Sequence, residues 1–310
     1  MPVGKDTYVG STEMRESLLS ILKDVSPNED NYLVSNLATG PKAMQTYNEW
    51  NTFYQARSTG GTRRSEGATT SYSDLTAEGR TGNYTEILEA PVRVSRTKAS
   101  IAMVTGEDAV SKEKERALKR LKSDMEYDIL NGAGPSAGLS GIARGNAGIL
   151  GCISTNVTNR GSNQSFTETE MNDMVQQSWD QVGSDYVANL LIAPVIIKRR
   201  VAGFGTNLTR NVQATDKRLT QEVRVYDSQV GPTIMIIAHK DMPSALVTNK
   251  VALLREDCFA LSFLVDSGEP HWEDRAKDGD YVSGTYITEF STISYAQRAS
   301  VVRSGFGTTL

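Results

Sequence analysis

The strongest helix-period pattern in the chain runs from Gly106 to Leu130, where Val110, Ala117, Leu118, Leu121, Met125 and Ile129 form a narrow apolar stripe among charged residues. Asn131-Gly132 supplies a stop. The pattern predicts one helix within 106–131, about 24 residues and so about 36 Å long at 1.5 Å per residue. Its charges, Glu113, Lys114, Glu115, Lys119, Lys122 and Glu126, read as a solvated face with weak intrahelical pairs. A second helix is predicted over Glu168 to Gln181, with Met171, Met174, Val175 and Ser178 on one side. Thr167 stands as its N-cap with Glu170 three residues on, the spacing of a capping box. A shorter amphipathic pattern at Thr12 to Asp24 places Met14, Leu18, Ile21 and Leu22 on one face.

Elsewhere the period is two or absent. Val187 to Ile197, Glu222 to Tyr226, Thr233 to Ala238, Val251 to Leu254, Ala260 to Val265 and Tyr281 to Tyr295 are rich in β-branched and aromatic residues, with turn formers between them, and read as strands. From Ala43 to Tyr54 the chain is again rich in β-formers, then almost free of large apolar residues, until apolar positions resume at Ile87, Leu88, Val92 and Val94. This reads as a long polar hairpin with Gly60-Gly61 at its tip, since paired glycines accept the positive φ of tight turns. Such a long polar excursion with so few anchoring residues is uncommon in a compact monomer and usually serves a function. The stretch Asp24 to Pro41 sets turn formers around short apolar pairs and reads as an arm that lies on something else. Residues 132–151 form a Gly-rich loop, followed by a polar linker to Ser165.

Composition narrows the class. For 310 residues, an apolar share of 38% with a mean hydropathy of -0.37 makes the core lean. Lysine and arginine number 33 against 37 aspartate and glutamate, a net charge of -4, which argues against a protein that coats DNA or grips an acidic membrane. The first twenty positions mix Lys5, Asp6, Glu13, Arg15 and Glu16 among the apolar ones, so neither a secretory nor an organelle signal is expected. The longest apolar stretches, such as Asn189 to Ile197, fall well short of the ~20 residues that span a bilayer, so no membrane partner is expected. Cys152 and Cys258 are far apart and in no CxxC pattern, which predicts neither a disulfide framework nor a zinc site and fits synthesis in a reducing cytoplasm.

Tests for catalytic chemistry find no set of cooperating groups. His239 and His271 occupy no metal-binding spacing; His271, in EPHWED, reads as part of an acidic surface turn, and His239 as a strand-end residue rather than a general base. Gly132-Ala133-Gly134 resembles the start of a dinucleotide fingerprint, but it follows a helix where a phosphate-cradling loop must follow a strand. Ser140 lies in a near miss to the GxSxG elbow with no strand before it. The basic run Lys198-Arg199-Arg200, with Arg210, Lys217 and Arg218 beyond it, lacks interleaved aromatics and reads as a subunit contact or a solvated loop. Arg63-Arg64 near the hairpin tip would dock against an acidic neighbouring subunit. No catalytic residue, cofactor or metal is predicted.

The order of these elements resembles the major capsid protein of tailed bacteriophages, with its Hong Kong 97-type α+β fold. The stretches that carry the resemblance are YNEWNTFYQ, NYTEI, VSRT, KERALKRLKSDMEYDILNG, FTETEMNDMVQQSWDQVG, VYDSQVGPTIMIIAHKDMP and VALLRE, spread in order over most of the chain. The resemblance implies an N-arm over residues 1–45 and an extended β-hairpin loop over 46–95. It implies a peripheral domain from 96–150 and 263–310 with its spine helix at 106–131, and an axial domain over 151–262. It implies a shell of pentamers and hexamers of this one chain around packaged double-stranded DNA held without sequence specificity. The further partners implied are a portal protein, a separate scaffolding protein and a decoration or cement protein. The chain would then be made in the bacterial host cytoplasm and end in the virion.

Two departures from the family bear on mechanism. No lysine lies between Lys42 and Lys98, so a lysine-asparagine isopeptide in the extended loop is not expected. No long charged helical pro-segment is visible, hence the expectation of a separate scaffold. Trp50, Arg63 and Arg64 are the candidate inter-subunit contacts. Two other readings stay open at this point: an encapsulin-like compartment that holds cargo protein, and an α+β hydrolase or transferase with a site in the 132–165 loop.

Overall fold

The computed structural model describes residues 31–54, 63–70, 78–100, 108–132, 134–204, 224–229, 232–244, 249–266, 268–276 and 279–307. The amphipathic pattern at Thr12 to Asp24, the Gly60-Gly61 tip, and Arg210, Lys217 and Arg218 fall outside them.

The described chain begins with α1 (Tyr32–Asn36) and β1 (Ala38–Thr39). Strands β2 (Tyr47–Thr52), β3 (Gly79–Tyr84) and β4 (Glu86–Ser95) follow, then α2 (Arg96–Ser100) and the long α3 (Ala109–Leu130). Next come α4 (Ile149–Cys152), β5 (Val157–Gln164), α5 (Glu168–Val182), β6 (Leu190–Ala193) and α6 (Val195–Gly203). The remainder is strand: β7 (Val225–Asp227), β8 (Thr233–Ala238), β9 (Asn249–Leu254), β10 (Phe259–Phe263), β11 (His271–Asp274), β12 (Tyr281–Ser294) and β13 (Val301–Phe306).

Three sheets result. The first is organised by β12, which pairs antiparallel with β4 from Tyr281↔Ser95 to Phe290↔Glu86 along one edge. Its other edge is shared by β11, opposite residues 284–287, and β10, opposite 290–294, and β1 joins β10 in parallel. The second sheet has the order β5-β13-β9-β6-β8-β7. The third is the pair β2-β3 alone.

Helix α3 begins where the Asp108 carboxylate accepts the Ser111 N–H at 3.0 Å, a side-chain N-cap. It ends at Asn131, after which Gly132 takes φ +40° with its α-carbon so close to the Gly148 backbone that a β-carbon would lie 2.1 Å from the Gly148 nitrogen. The predicted stripe faces inward: Ala117, Leu121, Met125 and Ile129 are buried against Val92, Val94, Phe259 and Phe290 of the first sheet. A second core forms where Met171, Met174 and Val175 of α5 and Ile197 and Val201 of α6 meet Leu191, Ile234, Val251, Leu253, Val301 and Phe306 of the second sheet. Helix α5 is capped as the sequence predicts, Thr167 Oγ1 accepting the Glu170 N–H at 3.3 Å.

Several expectations need correction. The hairpin closes between Tyr47–Thr52 and Gly79–Tyr84, not with the apolar stretch from Glu86, which crosses into the body as β4. The polar linker before Ser165 contains β5, held in parallel on β13, because an edge strand needs only backbone partners and its side chains stay exposed. The expected strand Val187 to Ile197 stops at Ala193: Pro194 becomes the N-cap of α6, and the β-branched Val195, Ile196 and Ile197 enter a helix. Lys198, Arg199 and Arg200 therefore ride on a helix rather than a loop. His271 opens β11, paired with Ile287, rather than lying in a turn. Glu126, assigned to the solvated face of α3, is wholly buried.

Candidate assembly surface

The hairpin has little core of its own. Along β2 no residue is buried, and along β3 only Asn83 is. Tyr47 and Tyr84 tilt against each other across the pair, ring centroids 4.5 Å apart. Two side chains fix this ribbon to the body. Trp50 donates its indole N–H to the Ser294 carbonyl at 2.8 Å, so β2 is moored to the end of β12. Asn83 is the deeper anchor: its amide donates to the Ala147 carbonyl at 3.0 Å and the Thr292 carbonyl at 2.9 Å, and its oxygen accepts the Ala147 N–H at 2.9 Å. Asn146 completes the cluster by accepting from the Asn83 amide at 2.6 Å and from the Thr292 N–H at 3.0 Å. A buried asparagine is tolerated because every polar atom it carries finds a partner.

The three residues singled out in the sequence are thus not in one place. Trp50 is half-buried on its own body, whereas Arg63 and Arg64 lie in the stretch 63–70, all of it exposed. The Arg64 guanidinium donates to the Thr69 carbonyl at 3.4 Å. Just beyond the far end of β2, Tyr54 is overlain by the Arg298 guanidinium, 4.2 Å from the ring centroid. Between the hairpin and the body runs a groove of about 680 Å³.

A second junction holds the N-terminal segment, the long helix and the second sheet together. The Glu126 carboxylate of α3 accepts the Leu33 N–H at 2.8 Å and the Val34 N–H at 2.7 Å, two donors left free by the first turn of α1. Asn31, the N-cap, makes no side-chain cap bond of its own, so Glu126 caps α1 from another helix. His239, just after β8 and also buried, takes the third place on Glu126 with Nε2 at 2.7 Å. The Asp241 N–H points at His239 Nδ1 (3.2 Å), which assigns the ring proton to Nε2 and makes the imidazole a donor to Glu126. A buried carboxylate is sustained here by three donors drawn from two other elements. Nothing in the sequence distinguishes Glu126 from the exposed charges around it; its one signal is its place next to Met125, at the border of the apolar stripe.

Other buried charges are also internal. Glu170 joins Arg303 at 2.5 Å and Arg160 under the second sheet, with Gln177 on the far guanidinium nitrogen of Arg303 at 3.3 Å. Asp128, one turn beyond Asp124 on α3, has its carboxyl pushed up to about 7, first by burial and then by the negative charges of Glu86 and Asp124.

The structure places Ser140, His239 and His271 on separate elements. Ser140 sits exposed in the turn between Leu139 and Ile142, His239 is buried with each ring nitrogen bonded, and His271 is on β11 with Nδ1 2.9 Å from the Glu269 carbonyl. Among the described residues there is no group of three or more histidine, cysteine, aspartate or glutamate side chains able to hold a metal ion. Nor, among them, is any helix long and apolar enough to cross a membrane. The thiols of Cys152 and Cys258 are both free, and burial pushes the Cys152 thiol up to about 11.

This arrangement, a long helix across one sheet, a second sheet with its own core and a projecting hairpin, is the Hong Kong 97-type fold of phage capsid proteins. The capsid of cyanophage A-1(L) is similar with a TM-score of 0.66 at 13% identity, over 96% of this chain and 98% of that one. The capsid of the myovirus XM1 gives 0.64 at 10% identity, over 94% and 97%. The SrpI encapsulin of Synechococcus elongatus PCC 7942 gives 0.62 at 13% identity, over 95% and 94%. No curated protein sequence matches the chain. The family model described as SU10 major capsid protein matches residues 3–305, and the chain belongs to that family. It is a family of structural capsid proteins, not of enzymes, whose copies assemble into the shell of a virion.

Proposed function

We propose that this chain forms pentamers and hexamers that close into the icosahedral head of a tailed phage around its double-stranded DNA. Residues 1–45 serve as the N-arm, 46–95 as the extended loop, 96–150 and 263–310 as the peripheral domain, and 151–262 as the axial domain at the symmetry centres. The observation that carries this reading is the hairpin: a ribbon with one buried side chain, moored by Trp50 and Asn83, beyond which the described residues 63–70 are all exposed. A segment so poor in contacts with its own body gains stability by lying on a neighbour, which couples assembly to order. Arg63 and Arg64 then act as its docking charges, and Trp50 fixes the angle at which the ribbon leaves the body. With a net charge of -4 the shell wall holds DNA without gripping it, since tight phosphate binding needs a surplus of basic side chains. Separate scaffolding, portal and decoration proteins complete the particle, and the chain is made in the host cytoplasm.

Electron microscopy of the purified chain, expressed alone and with its scaffold, tests the reading. Uniform closed shells tens of nanometres across, about the size of phage heads, are expected; a small globular particle persisting at high concentration with scaffold present would overturn it. The double variant Arg63→Glu with Arg64→Glu should lose shell assembly while its circular dichroism stays that of the wild type; normal shells from it would remove the docking role. The likeness to SrpI encapsulin favours a second reading, a compartment around cargo protein. Nuclease-protected DNA in particles purified from infected cells supports the phage head, and co-purified protein cargo without DNA supports the compartment.

A further inference from the structure

Residues 134–147 contain a small hairpin closed by the bridges Ser136↔Gly145 and Leu139↔Ile142. Backbone hydrogen bonds run both ways across each rung, Ser136 N to Gly145 O at 3.0 Å and Ile142 N to Leu139 O at 2.9 Å among them. The turn is Ser140-Gly141, with Gly141 at φ +83°, a conformation that a glycine adopts without strain. This loop is built and bonded, yet its tip is the most apolar exposed point near the groove: Leu139 is 76% exposed and Ile142 62%. Two large aliphatic side chains side by side on a rigid turn, with nothing over them, form an apolar knob.

The same chain carries a matching hollow. The groove of about 680 Å³ beneath the large hairpin is lined by Trp50, Phe53, Tyr54, Val182, Tyr295 and Arg298. Phe53 is 57% exposed, Tyr54 45% and Tyr295 44%, so its mouth is aromatic and open. The knob does not fill the hollow of its own chain. Its feet, Pro135 and Ala147, form part of the groove wall, and its tip residues are bare.

We propose that the Leu139–Ile142 turn of one copy seats in the aromatic groove of a second copy of the same chain. The family assembles many copies of one chain into a shell, so each exposed patch is presented to copies of every other patch. Because the feet of the knob form part of the groove wall, the two features lie side by side, and copies can join through them either reciprocally, as a two-fold pair, or head to tail around a ring. The occupant is therefore a second copy rather than DNA, whose phosphates would find two aliphatic side chains and no cation at the tip. Burial of the tip would also cover Phe53 and Tyr54 and hold the far end of β2 against the body. The inference rests on the shell reading above and adds to it a contact that the large hairpin and its arginines do not make.

The test uses shells assembled from the purified chain, alone or with its scaffold, which hold neither DNA nor a decoration protein. In a Cys152→Ser background, which keeps a donor for the Ala147 carbonyl, Leu139→Cys is combined with Phe53→Cys and the shells are oxidised with copper phenanthroline. Non-reducing electrophoresis should move most of the monomer band into a dimer, for a reciprocal pair, or into a ladder that reaches the hexamer, for a ring, with neither single variant doing so. Intact shells that leave the monomer band in place overturn the contact. Hydroxyl-radical footprinting of wild-type shells gives a second readout that needs no variant. Labelling of Leu139, Ile142, Phe53 and Tyr54 should fall at least about fivefold together relative to dispersed subunits, and unchanged labelling at either knob or groove overturns the proposal. If the wild-type chain forms shells neither alone nor with its scaffold, the shell reading itself fails, which is a different result.

Discussion

Strands β3 and β4 are separated by one residue, Thr85, yet they live in different physical regimes. Strand β4 sends Ala90, Val92 and Val94 into the core beneath α3 and pairs with β12 over its whole length. Strand β3 buries a single side chain, Asn83, and pairs only with β2. The first pair is held by apolar burial spread over many residues, and the second by a handful of hydrogen bonds at its base. A shell protein has use for both, since the body must be the same in every copy while the ribbon must still be free to find its neighbour.

Breaking the body should cost most. Phe290 lies wholly buried on β12, and Phe290→Ala is expected to lower the unfolding free energy of the dispersed chain by about 3–5 kcal/mol, read from the urea midpoint. If the ribbon is independent of the core, as the comparison holds, the exchange of its amides should be the same in that variant as in the wild-type chain. Asn83→Ala comes next. It strands the Ala147 N–H in a buried site and takes one donor from the Asn146 side-chain oxygen and from the Ala147 and Thr292 carbonyls, and a loss of about 2–3 kcal/mol is expected, together with release of the ribbon into fast exchange. A ribbon that stayed protected in that variant would show that the Asn83 anchor is redundant.

The third variant probes a cost built into the body. The Asp128 carboxyl is pushed up to about 7 from 3.8, so the folded chain holds this proton more tightly than the unfolded chain does. Stability therefore falls as pH rises from 3.8 to about 7 and is level above that window. Asp128→Asn should remove the loss, raising stability at pH 8 by about 1 kcal/mol after allowance for solvent screening, with no change near pH 3. A pH-independent effect of the substitution would refute the electrostatic origin. The smallest effect is expected for Trp50→Phe, which deletes the bond to the Ser294 carbonyl while keeping an aromatic ring. About 0.5–1 kcal/mol of local opening at the foot of the hairpin is expected, visible as faster exchange of β2 amides with an unchanged global midpoint.

Legibility in the sequence followed the spacing of interactions. Helix α3 was readable because Ala117, Leu121, Met125 and Ile129 are neighbours on one face within the element itself, and α5 because Thr167 caps the N–H of a residue three places on. Strand β8 appears at the expected Thr233 to Ala238, and β12 begins at the expected Tyr281, since both show dense β-branched and aromatic residues between turn formers. Strand β5 was hidden because a parallel edge strand is held by the backbone of β13 from far along the chain and asks little of its own side chains. Helix α6 was misread because three β-branched residues outweighed Pro194 as a start signal. The polar anchors, Asn83 with Asn146 and Glu126 with His239, were illegible, because an asparagine or a glutamate reads as solvated until a partner some 60 or 110 residues away arrives.

Left to itself, the sequence determines the two long helices α3 and α5, most of the strands, the polar character of the hairpin and, through the order of these elements, the capsid family. Those are consequences of local periodicity and composition, which one chain segment carries alone. Only the tertiary structure decided that the hairpin closes on Gly79–Tyr84, that Glu126 caps α1 beside His239, and that Leu139 and Ile142 stand bare near an aromatic groove. Each of these depends on which distant surfaces meet, and a buried polar group or an exposed apolar one acquires its meaning from that meeting.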